Sequence, residues 1–149
     1  VGEERDVRLG TYGDPAAVPV AIWRTLLQLS RSHTGYTHQW RNPIAARLKG
    51  VCMASVDSDA ERDEAWSMGW AAFRVAPYGA PVVRSRGEAV CPASAKVGAR
   101  VTCQTCPIKC DGQTDRILGR VIRDHAGQTK IIALSKAKAA ARRAMAGGV

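Results

Sequence analysis

Apolar and polar positions alternate between two periods along the first half of the chain. Asp6 to Thr11 (DVRLGT) reads as a short strand and Tyr12 to Pro15 (YGDP) as a turn. From Val18 to Leu29, apolar Val18, Ile22, Leu26 and Leu29 recur at helical spacing, with Pro19 in the first turn. A second strand is expected within His33 to Trp40, over GYTHQW. Asn42 caps a short helix to Lys49, with Pro43 at its first position and Gly50 at its end. Val51 to Val56 is almost continuously apolar, as a buried parallel strand is. Ser58 or Asp59 caps a helix through Met68, closed by Gly69, and Trp70 to Val75 (WAAFRV) is a fourth strand. The order β-α-β-α-β-α-β predicts an α/β fold of parallel strands with right-handed crossover helices, either a partial TIM-barrel-like sheet or an open one.

Beyond Pro77 the pattern changes. PYGAP is a loop, Val82 to Val90 a strand or hairpin, and a cysteine-rich segment runs from Cys91 to about Gly112. Ile117 to Ile122 is expected as a last strand, and Ile131 to Ala146 as an Ala-rich helix carrying Lys and Arg. Three regions follow: a βα-repeat half-barrel or sheet over 1–80, a metal-binding segment packed on it over 81–130, and a basic helix over 131–149.

Composition changes this picture in two places. Of 149 residues, 46% are hydrophobic and 23% charged, ordinary for a single globular domain, and no apolar run approaches a membrane span. The N-terminal VGEERDVRLG lacks an apolar signal core, so the expected location is the cytoplasm. The missing initiating Met points to a processed or partial chain. The net charge is +9, and residues 116–149 hold eight Lys or Arg against one acid, Asp124. Such a stretch is either a solvated basic face or a nucleic-acid contact, for which Lys136, Lys138, Arg142 and Arg143 are the candidates. His125 is a loop histidine, a ligand or an anion contact.

The cysteines change it more. Cys52 sits alone in VCMASV as a core thiol, whereas Cys91, Cys103, Cys106 and Cys110 follow C-x11-C-x2-C-x3-C. A C-x2-C pair turns two thiolates toward one ion, the third is in reach four residues on, and Cys91 supplies the fourth. Four thiolates satisfy tetrahedral Zn²⁺ or a [4Fe–4S] cluster. Structural zinc sites usually use two separated pairs, whereas three clustered cysteines plus Cys91-Pro92 is a ferredoxin-like grouping. Lys109 and Arg100 would offset thiolate charge. Disulfides are the weakest reading.

Function in parallel sheets collects at the carboxyl ends of strands. There the chain delivers Thr11, Tyr12 and Asp14, then Tyr36, Thr37 and His38, then Ser55 and Asp57, then Arg74. Asp14, His38 and Arg74 are candidate catalytic residues, His38 as a general base. Tyr12, Tyr36, Ser55 and Asp57 are candidate substrate contacts. Each also has a plain structural reading: Asp14 before Pro15 as a turn, Asp57 and Ser58 as caps. Trp23 and Trp66 read as core anchors, and Trp40 as the more exposed tryptophan. There is no G-x-G-x-x-G and no Walker sequence.

The series RLGTYGDPAAVP, TGYTHQW, VCMASVD and GWAAFRV, followed by CPAS and TCQTCPIKC, resembles an uncharacterised phage- and plasmid-encoded family of pared-down radical-SAM-type barrels. The resemblance covers about residues 6–130. Its GD turn falls on Gly13 and Asp14, its YTH strand on Tyr36, Thr37 and His38, and its cysteine segment on the four cysteines above. Relatives often carry C-x2-C-x2-C, one residue shorter, and an upstream cysteine-rich segment, after which point the present sequence begins. The C-x3-C-x2-C of radical-SAM chemistry is absent from this sequence.

These readings leave three functional classes. The first is a metal- or iron–sulfur-binding α/β protein of a mobile element in a bacterial host cell, part of a radical-SAM-like enzyme. The second is a zinc-stabilised nucleic-acid-binding module. The third is an interaction protein with a structural metal.

Overall fold

The computed structural model describes residues 3–76, 89–92, 101–106, 110–113 and 120–124. The chain begins with β1 (Asp6–Leu9), α1 (Val20–Gln28), β2 (Ser32–Thr37), β3 (Met53–Val56), α2 (Asp59–Ser67) and β4 (Ala72–Ala76), followed by β5 (Ala89–Val90) and β6 (Arg120–Asp124). The six strands form one sheet in the order β1-β2-β3-β4-β6-β5, and every neighbouring pair is parallel. The expected α/β class and parallel sheet are therefore present.

The first four strands lie side by side in chain order. Right-handed crossovers that always step in one direction place their connections on one face of a sheet. Strand residues Val7, Leu9, Ala54, Val56 and Ala72 accordingly pack with α1 through Val20, Trp23 and Leu27, and with α2 through Ala65 and Trp66. The second face has no helix among the described residues. Tyr36, Met53, Ala71, Phe73 and Val75 gather there with Cys91 and Cys110. No described helix is long and apolar enough to cross a membrane.

Several elements depart from the pattern reading. The residues of α1 that pack on the core are half-buried Val20, Trp23 and Leu27, not the set Val18, Ile22, Leu26 and Leu29, of which Ile22 and Leu29 are exposed. A hydrogen bond of 2.9 Å from Trp23 Nε1 to the Pro15 carbonyl fixes that rotation. Pro19 is the cap residue rather than part of the first turn, and Pro15–Ala17 forms a separate 3-10 turn. The second strand spans Ser32 to Thr37 and so takes in only the first three residues of GYTHQW, ending where the His38 N–H is taken by the Asp14 carboxylate (2.8 Å). Pro43–Leu48 is a 3-10 helix capped by Asn42 as expected. Trp40 is buried, not exposed, with its Nε1 donating to the Ser55 carbonyl at 3.2 Å. The Arg41 guanidinium lies 3.9 Å from the Trp40 ring centroid and reaches Glu61 and Glu64 of α2. The expected helix over 131–146, most of the expected strand or hairpin over 82–90, and His125 lie outside the described residues.

Candidate metal centre and strand-end rim

The cysteine segment is shaped by two kinds of local contact. Thr102 and Thr105 bracket Cys103 and Gln104 in a tight turn: Thr105 N–H donates to the Thr102 carbonyl (3.1 Å), and Thr102 N–H donates to Thr105 Oγ1 (3.0 Å). This leaves Cys103 exposed and sends Cys106 inward, where it is buried with Cys91 and Cys110. The Cys110 carbonyl accepts from Gly35 N–H of β2 (3.2 Å), on the side of β2 that has not yet met β3. Two glycines make this approach possible. A Cβ on Gly35 would stand 2.6 Å from Cys52 Sγ, and one on Gly112 only 2.4 Å from the Cys52 carbonyl oxygen.

The thiols share one electrostatic neighbourhood. Burial pushes the Cys110 thiol up to about 11; a hydrogen bond from the Tyr36 hydroxyl opposes this, and Cys91, Cys106 and Cys103 each add to it. Tyr36 is pushed far above the ordinary phenol value, first by burial and then by Cys110, Cys103 and Cys91. Its ring lies 4.5 Å from that of Phe73, which closes the apolar side of the cluster. All four cysteines are free thiols in the structure. Among the described residues, no three His, Cys, Asp or Glu side chains stand close enough together as they are to hold one metal ion. The donor chemistry nevertheless fits a thiolate-bound metal. The buried Cys110 thiol resists ionisation by itself, and a bound cation reverses such resistance by deprotonating its ligands.

The strand-end residues are placed differently. The Asp14 carboxylate accepts from Ala16 N–H (2.9 Å), Thr37 Oγ1 (2.7 Å) and His38 N–H (2.8 Å). It caps the first 3-10 turn and ties the end of β2 to the end of β1, with His38 exposed beside it. Arg74 is buried and paired with Asp59 at 3.2 Å; Asp59 also holds the buried Arg62 at 2.9 Å. Asp14 and His38 are thus brought together, while Arg74 is committed to the start of α2. Tyr12 is fully exposed and Ser55 is buried. Asp57 N–H donates to the Glu61 carboxylate (2.8 Å), so its backbone serves the α2 cap. Tyr36 faces the cysteines rather than the rim. Lys136, Lys138, Arg142 and Arg143 lie outside the described residues.

Residue spacing identified the cysteines but not Tyr36 as their partner, nor Thr102 and Thr105 as the frame of the turn. A T-x-x-T bracketing a cysteine is the signal for that turn. No family model matches the chain, and neither the curated proteins nor the solved structures yield a match.

Proposed function

We propose that the protein carries a thiolate-bound metal centre on the face of its sheet opposite α1 and α2, with Cys91, Cys103, Cys106 and Cys110 as ligands. One observation carries this reading: Cys91 and Cys110 are buried on one apolar face, Cys106 is also buried, and the other three cysteines all raise the proton affinity of Cys110. An isolated cluster of buried thiols has no structural advantage over apolar residues of the same size, whereas a metal gives it one. A [4Fe–4S] cluster is the first choice and Zn²⁺ the second, both compatible with four sulfur ligands. With four cysteine ligands the metal has no open position. It serves structure or electron transfer, and any catalytic role belongs to a larger radical-SAM-like assembly of a mobile element. Tyr36, donating to Cys110, would orient that ligand and tune its charge.

Metal and acid-labile sulfide analysis of anaerobically purified protein tests the reading. Iron and sulfide in near-equal amounts, with a brown colour, are expected. A colourless protein holding one zinc replaces the cluster with zinc. A folded protein with neither metal, and no loss of stability in Cys106→Ser, removes the metal centre altogether.

A further inference from the structure

A cavity outside both the rim and the buried thiols has a chemistry of its own. It opens over β1 and β2 and has a volume of about 200 Å³, with Arg8, Thr34, Tyr36, Cys103 and Gln104 in its wall. That is room for roughly seven waters at about 30 Å³ each. Arg8 and Thr34 are register partners on adjacent parallel strands, so their side chains stand on the same face of the sheet. The Arg8 guanidinium lies 6.0 Å from the centroid of the Tyr36 ring.

The balance of charge in this pocket decides what it can hold. Its one acid, Asp6, is already satisfied: Arg31 Nε donates to it at 3.1 Å and Ser32 Oγ at 2.5 Å. His33 is turned to the backbone, with Nε2 3.1 Å from the Val51 carbonyl oxygen. Among the described residues no carboxylate pairs with Arg8, which is exposed on its strand. The groups left to meet a ligand are a guanidinium fork, the Thr34 hydroxyl and the Gln104 amide. A planar fork with two neutral donors matches a carboxylate, which accepts two parallel N–H bonds.

We propose that this pocket binds a small carboxylate, anchored by Arg8 and assisted by Thr34 and Gln104, with the bound molecule lying against Cys103. Because the wall is built from β1, β2 and the Thr102–Thr105 turn, the proposal stands whether or not the thiols hold a metal.

Saturation-transfer NMR on succinate with the full chain tests it, with chloride at the same ionic strength as the reference. A saturable signal is expected. In Arg8→Gln, affinity falls about tenfold or more, as expected for a lost charge-assisted pair. Arg8 is exposed, and circular dichroism confirms that the variant keeps its fold. Succinate binding persists in chelator-treated protein, which separates this site from the metal centre. In chelator-treated protein, saturating succinate slows iodoacetamide modification of Cys103. Absence of saturation, unchanged affinity in Arg8→Gln, or binding of inorganic phosphate without succinate overturns the carboxylate site. Unchanged alkylation of Cys103 overturns its placement against that thiol.

Discussion

The two faces of one sheet solve the same burial problem with opposite materials. On the helix side, Ala54 and Ala72 are register partners, and Val56 is the largest apolar inward residue of the two central strands. Small strand side chains let α1, α2 and the 3-10 turns lie close, and the bulk is supplied by Trp23, Trp40, Trp66 and Trp70 from outside the strands. On the other side, the strands themselves supply the bulk through Tyr36, Met53 and Phe73, and among the described residues the cover is short irregular chain bearing cysteines. Helices satisfy their own backbone groups and need only an apolar stripe; irregular chain does not, and must find each partner locally. The hydrogen bonds among Thr102 and Thr105, and from Gln113 N–H to the Asp111 carboxylate, are that local provision. On the proposed reading, a metal supplies the rest of the cohesion on this face.

The sharpest separation of the two faces comes from paired truncations. Trp40→Ala on the helix side and Phe73→Ala on the cysteine side each remove a large buried ring, at an expected cost of about 3–5 kcal/mol in denaturant unfolding. On the proposed reading, only Phe73→Ala should also speed metal loss to a chelator, because only that ring backs Tyr36 and the thiols. Equal chelator kinetics in both variants would mean the faces are not distinct in this sense.

A smaller effect is expected where the two faces touch. Gly112 has φ +86° and its missing Cβ would meet the Cys52 backbone, whereas Gly50 has φ +75° with open space around it. A left-handed non-glycine residue costs about 1–2 kcal/mol, and overpacking adds typically 1–3. Gly112→Ala should therefore lose about 3 kcal/mol or more and Gly50→Ala about half that, measured by thermal or urea unfolding. Equal losses would show that the chain at Gly112 moves aside freely.

Cys52 distinguishes the faces by pH. Burial, with the Asp14 carboxylate adding to it, pushes its thiol up to about 12 from 9.0. A raised value means the folded state keeps the proton that the unfolded state has lost. The contribution is intact below pH 9.0 and is lost as pH rises toward about 12. Over that window stability should fall by up to about 1.4 kcal/mol per pH unit on this group's account. Cys52→Ala should flatten the alkaline slope, and an unchanged slope would assign it to other groups.

Much of the fold was legible because its periods are strong. VCMASV and WAAFRV both contain strands, and the caps at Asn42 and Ser58 are where turn chemistry puts them. The face of α1 was not legible, since Val18, Ile22, Leu26 and Leu29 and Val20, Trp23 and Leu27 are both apolar at helical spacing. A single indole hydrogen bond to Pro15 chooses between them. Spacing singled out the four cysteines, three of which are buried; their role as ligands is the proposal above. Asp14 was not, because a carboxylate that caps a turn and one that works on a substrate look alike in sequence; three donors within 2.9 Å reveal the cap. Arg74 was opaque for the related reason that Asp59, its partner, lies fifteen residues away in the chain.

The smallest expected effect belongs wholly to the helix side. Ser58 Oγ accepts from Glu61 N–H at 3.2 Å, while the Glu61 carboxylate reaches back to Asp57 N–H at 2.8 Å. Two N–H groups at the start of α2 are thereby satisfied, as in a capping box. Ser58→Ala should cost about 1 kcal/mol, read as a lower urea midpoint with unchanged slope. Glu61 is held below the ordinary carboxylate range, chiefly by the Asp57 N–H and then by Arg41. A lowered value means this contribution is present above the unfolded carboxylate range and is lost as pH falls through the folded one. Glu61→Gln should therefore lessen the acid loss of stability, and neither variant should alter metal content. A change in metal content with Ser58→Ala would couple α2 to the thiols through the sheet and blur the division between its faces.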